Sequence, residues 1–187
     1  MKRVLLASIL MAMAVPAVAG DRTLPRERPT APQGITLKRE QLDPVSRRLL
    51  DAHNRARAEV GAMPLEWDPV LAASAASYGP RLAAIGRLVH SPREGRPGQR
   101  ENLAMDITGR ATPEALVQMW VDEKRLLRPG LFPNVSATGR WEDVAHYTQM
   151  VWKSTTRVGC AIHDDGRWNY LICRYSPPGN KDGQPVF

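Results

Sequence analysis

Cys160-Ala161-Ile162-His163-Asp164-Asp165-Gly166-Arg167-Trp168-Asn169-Tyr170-Leu171-Ile172-Cys173 reads as two β-prone stretches around an Asp-Asp-Gly turn, the signature of a hairpin. If Gly166 and Arg167 are the two turn residues, Cys160 and Cys173 fall directly opposite each other. Residues opposed in this way at a non-hydrogen-bonded pair have Cα atoms about 4.5 Å apart, close enough for a disulfide. The chain holds two cysteines, and an even count suits one bridge in an oxidising compartment. A register one residue off would leave two buried thiols instead.

Upstream of the hairpin the apolar residues fall at helical spacing. A first helix is predicted over 43–62, started by Asp43-Pro44 and stopped by Gly61, with Val45, Leu49, Leu50, His53, Ala56 and Val60 inward. Asp68-Pro69 starts a second helix that runs to Gly86, an N-cap followed by proline at the first helical position. Its inward set is Val70, Leu71, Ser74, Tyr78, Leu82 and Ile85. A polar loop over 91–100 separates His90 from Glu101. A third helix starts at Thr112-Pro113-Glu114 and carries Leu116, Val117, Trp120, Glu123 and Leu127 as far as Pro129-Gly130, and a short fourth is expected over 142–153. Helices followed by antiparallel strands make this an α+β chain, with helices covering a small sheet.

At the N-terminus Lys2 and Arg3 precede an apolar run from Val4 to Val18, closed by Ala17-Val18-Ala19. This is the form of a secretory signal peptide over 1–19. The run contains Pro16 and is shorter than the roughly 20 residues a spanning helix needs, which argues against an anchor. Residues 20–43, rich in Pro, Arg and Thr, read as a linker or pro-segment, poorly ordered or draped over the domain. One domain over 44–180 and a C-terminal tail over 181–187 complete the expected plan. The protein is then exported, periplasmic or extracellular.

Loss of Lys2 and Arg3 would lower the formal net charge from +7 to +5. The surplus lies on scattered arginines, which serve solubility or attract anionic envelope polymers. No phosphate loop, zinc-finger spacing or RNA-binding aromatic signature accompanies it, so nucleic acid is not an expected partner. The protein is expected to act as a monomer.

Four short strings, in order along the chain, resemble the signatures of the secreted CAP family: the cysteine-rich secretory proteins, antigen 5 and pathogenesis-related-1 proteins. They are His53-Asn54-x-x-Arg57, Glu101-Asn102-Leu103-Ala104, Ala145-His146-Tyr147-Thr148-Gln149-Met150-Val151-Trp152-Lys153-Ser154, and Tyr170-Leu171-Ile172-Cys173-Arg174-Tyr175-Ser176-Pro177-Pro178-Gly179-Asn180. The resemblance implies a three-layer α-β-α sandwich with a central antiparallel sheet, and a cleft lined by His90, Glu101, Glu123 and His146. Two departures stand out. Arg100 occupies a position where the family usually has glycine and is placed to pair with Glu101, and Ala145 precedes His146 where glycine is common. The loop over 128–140 is also short for a lipid site that depends on long loops.

Spacing alone gives His90 and His146 no metal signature; the resemblance brings them together as ligands for weakly bound zinc or another divalent ion. Glu101 and Glu123 could serve a metal-activated water as general base, making a hydrolase of the protease or cell-wall kind. The matched cleft offers no serine or cysteine nucleophile. The main expectation is therefore a binding module for a lipid, sterol or envelope ligand. The alternatives are that hydrolase, or a structural protein whose arginines meet the anionic envelope. His53, Asn54 and Arg57 are expected to tie loops down by hydrogen bonds, and His163 to be a solvated surface residue.

Overall fold

A computed structural model of the chain describes residues 35–187. The expected leader over 1–19, and most of the segment over 20–43, lie outside the described residues. Three of the four helices begin where a capping side chain followed by proline requires it. In α1 (Pro44–Ala58) Asp43 accepts from the amides of Val45 and Ser46. In α2 (Pro69–Ile85) Asp68 does the same for Val70 and Leu71, and Gly86 ends the helix at φ 70°. In α3 (Pro113–Val121) Thr112 accepts from Ala115. A polar oxygen at the cap answers an otherwise orphaned N–H, and proline loses nothing at N1.

The expected third and fourth helices are both shorter than the sequence pattern suggested. Helix α3 tightens into a 3₁₀ turn over Asp122–Leu126, and α4 (Ala145–Met150) follows another over Trp141–Val144. Val45 and Val70 face solvent rather than the core; the buried stripe of α2 is Leu71, Ala75, Gly79 and Leu82.

The sheet contains β1 (Glu66–Trp67), β2 (Arg100–Ile107), β3 (Arg157–Asp164) and β4 (Trp168–Ser176), in the order β1-β3-β4-β2. Its three long strands are antiparallel, and the two-residue β1 joins the edge in parallel with β3. Cys160 lies opposite Cys173 across the hairpin. The two are bonded, with Cα atoms 4.1 Å apart, as the turn at Gly166-Arg167 requires.

Strand β4 is central and buried on both faces, which explains its nearly unbroken apolar run. Leu171, Cys173 and Tyr175 join the core beneath α1, α3 and α4, while Tyr170 and Ile172 pack with Leu103 against Ala75 and Leu82 of α2. This is the three-layer α-β-α arrangement. Glycine sets the closeness of the α2 layer: a Cβ on Gly159 would come within 2.2 Å of the Ala72 nitrogen and 2.4 Å of the Asp68 oxygen. A Cβ on Gly79 would strike the side chain of His163 at 2.5 Å. His163 is thus partly covered by α2 rather than simply solvated.

The expected limits at 43 and 181 cut through packed chain. Leu42 is buried, and the Leu37 amide donates to Trp67 O (2.9 Å). At the other end Val186 is buried, with Lys153 N donating to Val186 O (2.7 Å) and Phe132 N to Gln184 O (2.9 Å). Apolar residues at both margins seal the ends of the core. Among the described residues no helix is long and apolar enough to cross a membrane.

Candidate functional site

Edge strand β2 opens beside a cleft of about 430 Å³ whose lining includes His90, Glu101, Asn102 and His146. His90 lies in the connection between α2 and β2, Glu101 is the second residue of β2, and His146 lies in the first turn of α4. Three of the four residues expected in the cleft therefore line it. Glu123 does not. It sits in the 3₁₀ turn that follows α3, where Oε1 accepts from His146 Nδ1 (2.6 Å) and Oε2 accepts from the amides of His146 and Tyr147 (3.0 Å each). Val144, at the N-cap of α4, has no side-chain oxygen to offer, so Glu123 caps that helix from another segment. The same carboxylate that orients the imidazole also starts the helix that carries it.

The second pair is built differently. The Glu101 side chain is fully buried. Its Oε1 accepts from His90 Nδ1 (2.7 Å) and Ser91 N (3.0 Å), and its Oε2 from Ser91 Oγ (3.0 Å). Arg174, opposite it across β2–β4, reaches Oε2 at 3.0 Å. Burial pushes the Glu101 carboxyl up, but the hydrogen bond from His90, the charge of Arg174, the Ser91 amide and Arg96 together outweigh it, leaving the pKa below its ordinary value. The expected pairing of Arg100 with Glu101 does not occur. Side chains alternate along a strand, and the Arg100 guanidinium instead donates to Gly179 O (3.1 Å) and Asn180 O (3.4 Å).

Both cleft imidazoles thus turn Nδ1 towards a carboxylate, an acceptor, so Nδ1 carries the proton and the neutral ring keeps a lone pair on Nε2. Their side chains are 54% and 30% exposed for His90 and His146. The His146 ring also stacks on Trp120 at 5.9 Å. A carboxylate behind each histidine is the arrangement that orients a metal-ligating imidazole and raises its basicity.

His53 is the opposite case. It is fully buried, Nδ1 donates to Leu49 O (2.8 Å), and Nε2 therefore accepts from Tyr175 OH (2.8 Å). Asn102 Nδ2 donates in turn to Tyr175 OH (3.2 Å) and to His146 O (3.0 Å), tying the core to the cleft. Burial pushes the His53 pKa down from 6.5 to about 4, helped by Arg57 and opposed by the Leu49 carbonyl. The donor atoms of His53, Cys160 and Cys173 lie within 4.8 Å of one another. Bridged sulfurs are not thiolates, however, and both His53 nitrogens are used, so this trio is no metal site.

Asn54 and Arg57 also bind loops. Asn54 exchanges two hydrogen bonds with the Leu65 backbone (3.1 and 2.7 Å). The guanidinium of Arg57 donates to the carbonyls of Met63, Met150, Trp152 and Thr155. Sequence reading gave Arg96, Arg174 and Tyr175 no role in the site: Arg96 lies in a polar loop without a pattern, and Arg174 and Tyr175 fall within a signature string that does not say which of its residues reach the cleft.

Residues 50–175 match the sequence profile of the Cysteine-rich secretory protein family. Pathogenesis-related protein 1A of Nicotiana tabacum is 45% identical over 139 residues, which is 74% of this chain and 78% of the relative. The pathogenesis-related protein of PR-1 type from Sambucus nigra is 42% identical over 137 residues, 72% of this chain and 77% of its own. Among solved structures, that of NaASP2 with Zn2+ aligns with a TM-score of 0.65 at 23% identity, over 78% of this chain and 86% of that one. BmVAL-1 aligns with a TM-score of 0.66 at 24% identity, over 84% and 86%. Likenesses at that level of identity speak for the fold.

Proposed function

The chain belongs to the cysteine-rich secretory protein family, and on that premise we propose that it is an exported, non-catalytic binding module. Its cleft holds a divalent metal through His90 and His146 and takes a lipid, sterol or envelope ligand. Membership of a secretory family supports export, which the apolar run at 4–18 calls for independently. The working compartment is the periplasm or the extracellular medium.

One observation carries the metal reading: two imidazoles on one cleft, each with Nδ1 engaged by a carboxylate, so that both Nε2 lone pairs remain for a ligand. Two nitrogens and open positions suit zinc, and affinity is weak because the set is small. A bound ion there would act as a Lewis acid. The same geometry disfavours the hydrolase reading. Glu101 already accepts two hydrogen bonds on Oε1, and one hydrogen bond with an Arg174 ion pair on Oε2, while Glu123 is occupied with His146 and the start of α4. A general base needs a free lone pair within reach of the proton it removes.

Calorimetry with zinc, on the wild-type protein and on the His90→Ala/His146→Ala double variant, tests the proposal. Heat from the wild type and none from the variant is expected; equal heats would end the metal reading.

A further inference from the structure

The histidine pairs leave much of the cleft's charge without a counterpart. Arg93, Arg96 and Arg100 line it together with His90 and His146. All three arise where the polar connection from α2 turns into β2. Among the described residues none of them forms an ion pair; the nearby buried carboxylate, Glu101, is taken by Arg174 and His90. Asp182 is the other acidic residue on the lining. It is exposed and acts on Arg100 only through space.

Arg96 is only 6% exposed. Its Nε donates to Ser91 O (3.2 Å) and Ser91 Oγ (3.0 Å), and its Nη1 to Gln99 O (3.2 Å). Arg100 is half-buried and bonded to two carbonyls. Neutral oxygens satisfy N–H groups and fix the guanidiniums in place, but they do not balance the charge, and a buried charge without a partner is costly. Among the described residues Nη2 of Arg96 and Nη1 of Arg100 have no hydrogen-bond acceptor. Burial lowers the pKa of both and repulsion by Arg93 pushes the same way, offset only in part by the charge of Glu101 near Arg96 and of Asp182 near Arg100. Phe132, Pro133 and Trp141 lie elsewhere on the lining, with the rings of Phe132 and Trp141 meeting edge to face at 5.5 Å.

We infer that the cleft takes a phosphate-bearing ligand, its phosphoryl oxygens held by Arg93, Arg96 and Arg100 and its less polar part against Phe132 and Trp141. This rests on the cleft being a binding site and narrows what binds there. A sterol has no anionic group to match three guanidiniums. A carboxylate presents two oxygens in one plane, whereas a phosphoryl group presents three that reach separate donors around it.

The phosphate is either free in solution or part of a lipid headgroup, and two arms separate these sources. Glycerol phosphate is titrated into the protein by calorimetry, with zinc and with chelator; vesicles of phosphatidylcholine, with or without phosphatidylglycerol, are tested by co-sedimentation. Binding in either arm is expected, weakened roughly tenfold by Arg93→Gln and again by Arg100→Gln. Arg87→Gln, exposed and off the cleft, should change nothing. The Arg93 side chain makes no hydrogen bond among the described residues, and its backbone bond from Arg96 N (3.1 Å) does not depend on the side chain, so its variant tests the charge without disturbing the fold. If the wild type binds neither probe, or the Arg93→Gln/Arg100→Gln double variant binds as tightly as the wild type, the inference is wrong. Zinc heats are recorded in parallel. Zinc binding without phosphate binding sinks only this inference, while phosphate binding without zinc binding sinks only the metal reading.

Discussion

His53 and His146 lie on the same side of the sheet, linked through Tyr175 and Asn102, yet they differ in what is left over after folding. Around His53 every polar group is consumed: both ring nitrogens are bonded, and Arg57 beside it spends its donors on four carbonyls. At His146, and at His90, one nitrogen is fixed by a carboxylate and the other is not. A histidine sealed in this way is structure; a histidine held from behind and open in front keeps a lone pair for a ligand, which is what the proposed function uses. The difference comes from what packs around each ring and not from the residue type.

The sealed region should give way most. Arg57→Met removes the donor to four carbonyls at a site 1% exposed and should lower unfolding stability by roughly 3–5 kcal/mol, read from urea denaturation. A loss below about 1 kcal/mol would mean that water replaces the guanidinium and the region is not sealed.

Next comes pH. The folded-state pKa of His53 lies below its ordinary value, about 4 against 6.5. Between those values the unfolded chain binds a proton that the native ring refuses, so stability is fully present above about pH 6.5 and declines as pH falls towards 4. The decline attributable to His53 is roughly 3 kcal/mol. His53→Gln should flatten this part of the stability profile, and an unchanged slope would show that the ring protonates without unfolding.

The smallest effect belongs to the open side. Glu123→Gln can keep an acceptor for the α4 amides or for His146 Nδ1, but not both as before. It should lower stability by about 1 kcal/mol and zinc affinity by roughly tenfold. Unchanged zinc affinity would mean that the carboxylate does not position the ring.

Sequence revealed the elements whose signals are local. Asp43-Pro44, Asp68-Pro69 and Thr112-Pro113 each placed a helix start, and Gly166-Arg167 set the hairpin register that joins Cys160 to Cys173. Strand β2 was missed because its first residues, Arg100, Glu101 and Asn102, look like loop; Glu101 is tolerated inside because His90 and Ser91 bond to it and Arg174 comes to it from the neighbouring strand. His163 resembled a surface residue because what covers it is the α2 backbone at Gly79, on another element, which comes close only because Gly79 has no Cβ. His90 and His146 had no spacing signal and came together only through the family likeness. The retreat of Glu123 behind His146 depends on where α3 tightens into a 3₁₀ turn, a detail its helical periodicity did not show. The arginine wall escaped notice because its charge matters only once Arg96 is buried.

The chain has four histidines, so nitrogen-15 NMR of their rings, with and without zinc, tests the contrast most directly. His53, His90 and His146 should all carry the proton on Nδ1, and added zinc should shift Nε2 of His90 and His146 while His53 and His163 stay still. A zinc response at His53, or none at the two cleft rings, would contradict the account.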